Sequence, residues 1–298
     1  MKYCIFLTFL FLIGCSTVDP INPDVEPAEG EQKFCIIGDG GTGKADQYHV
    51  ANALAKEACT AVIYVGDVIY ETGLKDDDDK DFFKKFYNPY KVLLEEQKIP
   101  FYMSMGNHDW YWGAHGKHWI ELSKKYENII YPWYAYAIKS KDVCLLQFEV
   151  YKKDKWDDIK EWYERSTKTD FFDSCKFSIA FSHYPYFSKV GKHGDASKDQ
   201  KEYLEKLAVG KFDVYVGGHD HFLSDEGEYK GTRLFISGSA GKLRDIEGTP
   251  KIWAKSSHGF LVIKVKDGQN KGESYFVLVD ENKITKEHFT TIEGKGVR

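Results

Sequence analysis

The chain has 298 residues, of which 42% are hydrophobic and 29% charged, with a formal net charge of −5. That length supports one sizeable core without a second unit, and those fractions are ordinary for a soluble globular protein. Lysine, aspartate and glutamate are interspersed rather than blocked, so nucleic acid is not favoured as a structural partner.

Residues 1–14 read as a signal peptide: Lys2 starts a short apolar run over 5–13 that ends at Gly14-Cys15. The run is too short to span a bilayer as a helix. Leu12-Ile13-Gly14-Cys15 resembles the lipobox of bacterial lipoproteins. That resemblance implies a lipid on Cys15, which attaches the chain to a membrane without spanning it. It implies a periplasmic or cell-surface location, with Ser16 leaning towards the outer membrane; ordinary signal cleavage nearby is the alternative. Residues 15–31, with Pro20, Pro23 and Pro27, read as a lipidated end and flexible linker. The folded domain is placed at 32–298. Cys35, Cys59, Cys144 and Cys175 remain in it, and an exported protein can keep disulfides. Four cysteines permit three pairings. The sequence does not choose, although 35 with 59 and 144 with 175 would join neighbouring strands.

A buried strand is expected over 34–38, a helix over 47–56 and a second buried strand over 61–66. Phe82, Phe86, Leu93 and Leu94 give helical spacing over 81–96, which Pro89 must interrupt or kink. Further strands are expected over 101–103, 143–148, 177–182, 214–217 and 234–237, so the alternation argues for an α/β core with a largely parallel sheet. Near the C-terminus, 260–265 and 275–279 flank a glycine-rich turn and suggest an antiparallel hairpin in a second sheet.

The first loop, Gly38-Asp39-Gly40-Gly41-Thr42-Gly43-Lys44, satisfies both a dinucleotide fingerprint and part of a P-loop. Glycines there would let backbone N–H groups reach a phosphate at a helix start. Against the P-loop, Ala45 stands where Ser or Thr would bind Mg²⁺. Taken alone, the loop suits nucleotide binding, metal binding or a simple turn. The rest of the chain decides, because strand after strand ends in a metal-binding side chain. Asp39 follows the first strand, Asp67 the second with Tyr70 three residues on, and Asn107-His108-Asp109 the third. His183 and then His219-Asp220-His221 follow two more. In an open parallel sheet such residues converge at the carboxyl ends of the strands. Oxygen ligands suit hard cations and imidazoles suit Fe, Zn or Mn. Two such ions can clamp a phosphate and generate a hydroxide nucleophile.

The series GDGG, GDVIY, GNHD, SHYP and GHDH, over about 34–241, resembles the calcineurin-like metallophosphoesterases. Within them it is most similar to the purple acid phosphatases of the small tartrate-resistant type. The resemblance implies a four-layer α/β/β/α sandwich with two mixed sheets. It implies two metal ions: Fe(III) on Asp39, Asp67, Tyr70 and His221, and divalent Fe, Zn or Mn on Asp67, Asn107, His183 and His219. The expected activity is phosphomonoester hydrolysis at mildly acidic pH, by metal-bound hydroxide, on phosphorylated small molecules or phosphoproteins, by a monomer. A phosphodiesterase or nucleotide-pyrophosphate hydrolase is the nearest alternative; a P-loop NTPase or an inactive binding module is further away. His108 is the expected proton donor with Asp109 orienting it, and His193 is a second candidate. His115 and His118 either line the pocket or sit on a polar helix face, and His49 and His288 read as surface residues. The acidic run 75–80 reads as a solvated loop. Among Trp110, Tyr111, Trp112, Trp119, Trp133 and Tyr134, one or two are expected at the mouth of the site, the others in the core.

Overall fold

Buried apolar runs and period-two alternation dictate two stacked sheets. The computed structural model describes residues 30–111, 116–281 and 283–298; the signal peptide, Cys15 and all but the last two residues of the linker, with Trp112 and His115, lie outside the described residues. The strands are β1 (Glu31–Ile37), β2 (Ala61–Val65), β3 (Phe101–Ser104), β4 (Ile129–Ile130), β5 (Ala135–Ser140), β6 (Val143–Phe148) and β7 (Phe177–Phe181). They continue with β8 (Val214–Gly217), β9 (Leu223–Tyr229), β10 (Thr232–Ser237), β11 (Trp253–Lys255), β12 (Gly259–Lys266), β13 (Lys271–Asp280) and β14 (Lys283–Glu293). The helices are α1 (Ala45–Glu57), α2 (Lys80–Phe82), α3 (Asn107–Trp110), α4 (Lys117–Lys125), α5 (Trp156–Ser166) and α6 (Lys198–Leu207).

One sheet runs β14-β13-β12-β1-β2-β3-β4 and the other β11-β9-β10-β8-β7-β6-β5. Both are mixed. In the first, β1 pairs parallel with β2, Phe34 opposite Ala61, and antiparallel with β12, Cys35 opposite Val262. The C-terminal hairpin therefore extends the first sheet and is not the start of a second one. The second sheet is built instead around the parallel strands β6, β7, β8 and β10.

Alternation assigns the faces. Tyr136, Ile138, Val143 and Leu145 pack between the sheets with Ile36 and Ile63. Ala135, Ala137, Cys144, Leu146 and Phe148 pack outward with Trp162 of α5 and Leu204 of α6. On the other side, Val50 and Leu54 of α1 are buried on the first sheet. Each such large apolar side chain, taken fully out of water, contributes roughly 1.5–3 kcal/mol. Polar bonds cross the central layer as well: Tyr136 Oη donates to the Met103 carbonyl at 2.8 Å and Ser237 Oγ to that of Ile36 at 2.6 Å. The 81–96 segment is helical but broken. After α2 it forms π-helical turns at Phe83–Tyr87 and Val92–Glu96, with Pro89 in the break. Proline lacks the N–H that a continuous helix would use there.

Cys35 bonds Cys59 and Cys144 bonds Cys175, with Cα–Cα distances of 5.8 and 5.7 Å. Each ties a strand to the residues just before its neighbour, and in the chain-entropy account each contributes about 3 kcal/mol. Both suit an oxidising compartment. A buried carboxyl braces the end of β3 from the other sheet. Glu149 Oε1, just past β6, accepts from the Met105 amide at 2.9 Å and from Tyr131 Oη at 2.8 Å.

Candidate metal centre

Five parallel strands point their carboxyl ends at one place, and four of them, all but β7, end beside a glycine that lets the next loop come close. Asp39 follows β1, Asp67 and Tyr70 follow β2, and Asn107 and His108 open α3 after β3. From the second sheet come His183 after β7, and His219 and His221 after β8. Asp39, Asp67 and His219 have φ of 57°, 52° and 69°, a left-handed conformation that costs an L-residue roughly 1–2 kcal/mol. Backbone strain of this kind collects where geometry is needed for function. Gly106 has to be glycine, because a Cβ there would lie 2.1 Å from Asp67 Oδ1.

Two donor groups result, and they share Asp67. In the first, Tyr70 Oη lies 2.9 Å from Asp39 Oδ1, 2.9 Å from Asp67 Oδ2 and 3.2 Å from His221 Nε2. In the second, His183 Nε2 lies 3.1 Å from Asn107 Oδ1, 3.2 Å from His219 Nδ1 and 3.5 Å from Asp67 Oδ1. Counting protons tests whether cations fit. One phenol hydrogen faces three acceptors in the first group. In the second, His183 Nδ1 faces the Val65 carbonyl at 2.8 Å, which assigns the ring proton to Nδ1. The Nε2 lone pair is then turned towards the amide and carboxylate oxygens. Lone pairs gathered without enough hydrogens make a cation site, and the O/N donor chemistry fits two metal ions.

Backbone bonding disposes of the phosphate-cradle reading of the first glycine loop. Lys44 is exposed, and a Cβ on Gly41 would lie 1.9 Å from the Val68 carbonyl oxygen. The Asp39 amide donates to Gly66 at 3.0 Å, and the Gly41 carbonyl accepts from the Tyr70 amide at 2.9 Å. The glycines thus let one metal-donor loop lie against the other, and those backbone groups are already engaged.

Residues 32–223 match the family model of the calcineurin-like phosphoesterases. The chain belongs to this family. It is similar to purple acid phosphatase 17 of Arabidopsis thaliana, 26% identical over 80% of this chain and 76% of that protein. It is also similar to human tartrate-resistant acid phosphatase type 5, 24% identical over 89% and 88% of the two chains. Among solved structures, a purple acid phosphatase from yellow lupin seeds superposes with a TM-score of 0.65 at 14% identity, over 90% of this chain and 54% of that one. GAP50, the anchor in the inner membrane complex of Plasmodium, superposes with a TM-score of 0.71 at 17% identity, over 90% of each chain. These structural likenesses show the fold alone, and the four-layer sandwich of two mixed sheets agrees with it.

Within this phosphoesterase the donors are largely buried. Burial, then the Asp67 charge, pushes the Asp39 carboxyl well up, and burial followed by the two carboxylates does the same to the Tyr70 phenol. Burial holds His183 and His219 below the ordinary histidine range, and burial with the Arg244 charge takes His221 down to about 3. Bound cations would invert this for the acids, favouring carboxylate and phenolate.

The expected proton carriers separate. His108 lines the cleft; its Nδ1 lies 2.5 Å from the Glu71 carbonyl and its Nε2 4.0 Å from Asp67 Oδ2. Asp109 does not orient that ring. Its buried carboxylate accepts from the Val68, Ile69 and Gly106 amides at 2.8–3.1 Å, and so fixes the backbone of both donor loops. His193 also lines the cleft, its ring 4.4 Å from that of His219, and burial lowers it, the Arg244 charge adding to the effect and Asp220 opposing it. A neutral His193 is a poor acid. Of the other histidines, His288 is half-buried, its Nε2 2.7 Å from Asp225 Oδ2, so it is not a plain surface residue. His118 lies on α4 away from the cleft lining, and His49 lines a different surface hollow. In the acidic run, Asp77 pairs with Lys125 at 2.6 Å and Asp79 caps α2, as a solvated loop would.

Among the described residues, Tyr111 is the one of those aromatics at the mouth, while Trp110 and Trp119 are core. Sequence reasoning missed Tyr184, whose ring lies 4.5 Å from that of His219, and Arg244, both of which line the cleft of about 270 Å³.

Proposed function

We propose that the chain is a dinuclear-metal acid phosphatase of the purple type, hydrolysing phosphomonoesters at mildly acidic pH. The convergence of the two donor groups on Asp67 carries this reading. Asp39, Asp67, Tyr70 and His221 would hold Fe(III), and Asp67, Asn107, His183 and His219 a divalent ion; phenolate and paired carboxylates suit the harder cation. Bound there, the ions would supply positive charge against a phosphoryl group and acidify water. The chain's own residues do the rest. His108, held through Nδ1, presents Nε2 to the cleft, where its protonated form can give a hydrogen to the leaving oxygen. Asp109 keeps the two donor loops in register, and Tyr111 and Tyr184 wall the cleft beside the leaving group. Phosphorylated small molecules or phosphoproteins are the proposed substrates, and a monomer suffices because one chain supplies every donor.

The test is a visible spectrum with metal analysis of the iron-loaded protein beside Tyr70→Phe. Wild type is expected to show a phenolate-to-iron charge-transfer band, and Tyr70→Phe to lose it. A band that survives the substitution sinks the purple assignment and leaves the phosphoesterase one standing.

The two disulfides support an exported protein, and we place it at the outer membrane through a lipid on Cys15. The intact mass of the mature N-terminus should show acylated Cys15; a plain cleaved end would remove the anchor.

A further inference from the structure

We propose that Arg244 forms an anion subsite one side chain beyond the metal donors, which selects substrates whose hydrolysed phosphoryl is followed by a second phosphate. This rests on the phosphatase reading and narrows its substrate class to terminal phosphates of di- or polyphosphates.

Arg244 is built into the site through its main chain. Its N–H donates to the carbonyl of His221 at 2.9 Å, and its own carbonyl accepts from Ser256 Oγ at 3.0 Å. The side chain is half-buried and lines the cleft with His108, His193 and His219. Its Nη1 donates to His193 Nε2 at 2.6 Å. The His193 ring in turn lies 4.4 Å from that of His219, tilted by 32°, so the guanidinium reaches the metal donors through His193.

What marks it is its charge balance. Arg233 and Arg298, also partly buried, pair with Asp225 and Asp213. Among the described residues no carboxylate pairs with Arg244. Lys242, two residues earlier, is not equivalent: its ammonium is bound to Glu71 at 2.8 Å and lies over the Tyr70 ring at 4.5 Å. A cation held in a cleft without its own counter-ion has lost hydration that an arriving anion replaces. One guanidinium N–H goes to His193, and the others remain as a fork that fits phosphate oxygens in pairs.

With a diphosphate, the terminal phosphorus would lie at the metal donors and the next phosphate against Arg244. Water then supplies the new oxygen to the terminal phosphorus. The P–O bond to the bridging oxygen breaks, its electron pair stays on the penultimate phosphate, and the water protons pass to the products and solvent. Arg244 stabilises the charge left on that phosphate.

The test uses the full metal-loaded chain as wild type, Arg244→Gln and Arg244→Lys. Binding of methylenediphosphonate and of inorganic phosphate is read by calorimetry, and kcat/KM by hydrolysis of inorganic pyrophosphate and p-nitrophenyl phosphate. The Gln variant is expected to lose roughly ten- to a hundredfold more on the diphosphonate and pyrophosphate than on their single-phosphate counterparts. The Lys variant, with charge but no fork, should recover only part. Equal losses on both ligand classes, or no loss on either, would overturn the subsite. If wild type hydrolyses neither ester nor anhydride, the phosphatase reading fails, and the calorimetric comparison still decides whether Arg244 reads a second phosphate.

Discussion

Asp67→Ala should lower hydrolysis of p-nitrophenyl phosphate by about 10³-fold or more and leave the protein with less than one bound ion per chain. Each of its oxygens serves a different group. Oδ2 lies 2.9 Å from Tyr70 Oη, while Oδ1 lies 3.5 Å from His183 Nε2 and accepts the His108 amide at 2.9 Å. One truncation therefore removes a negative charge from both candidate metal positions and frees the backbone of the histidine that faces the leaving group. Loss of Asp39 or His183 would reach one position only. Asp67→Asn separates the effects, because it keeps the bond to the His108 amide while removing the charge; it should still lose both ions. Elemental analysis beside steady-state kinetics is the measurement. Two ions retained per chain in either variant would show that the two groups do not meet at this residue.

Glu149→Gln should remove a pH dependence of stability worth about 3 kcal/mol. The side chain is fully enclosed, and burial lifts its carboxyl from 4.5 to about 7, against the bonds from Met105, Tyr131 and Gln147. The folded protein thus holds this proton more tightly than the unfolded chain does. Below about 4.5 both states are protonated and nothing is lost. Between about 4.5 and 7 the unfolded chain releases the proton first, so stability falls as pH rises, and the loss is complete above about 7. Urea midpoints of wild type and variant at pH 5 and 7.5, both in chelator, should converge at the acid end or favour wild type there. They should favour the Gln variant at the alkaline end. Parallel profiles would show that Glu149 is ionised throughout.

The donors were legible because each terminates an apolar run: Ile37-Gly38-Asp39 and Val65-Gly66-Asp67 announce a buried strand together with the donor at its end. Arg244 escaped because several glycines and small residues separate it from the end of β10, so no apolar run points to it. Asp109 was misassigned because composition cannot tell a carboxylate that serves an imidazole from one that binds three backbone amides. The strand β9, Leu-Ser-Asp-Glu-Gly-Glu-Tyr, is not among the expected strands, yet its first five residues are buried. Arg233 of the adjacent β10 and His288 of β14, in the other sheet, both bond the Asp225 carboxylate, and no local signal predicts such distant partners. The C-terminal strands had the right type but the wrong sheet, since register with β1 is a tertiary choice between two apolar faces.

The division of donors between the sheets couples ion binding to assembly of the fold. Asp39, Asp67, Tyr70 and Asn107 come from one sheet and His183, His219 and His221 from the other. Neither candidate position is complete until the two sheets have docked, so binding energy stabilises the docked state alone. Above the dissociation constant, each tenfold rise in free ion deepens the native well by about 1.4 kcal/mol. A chelator then acts as a denaturant that touches no part of the hydrophobic core.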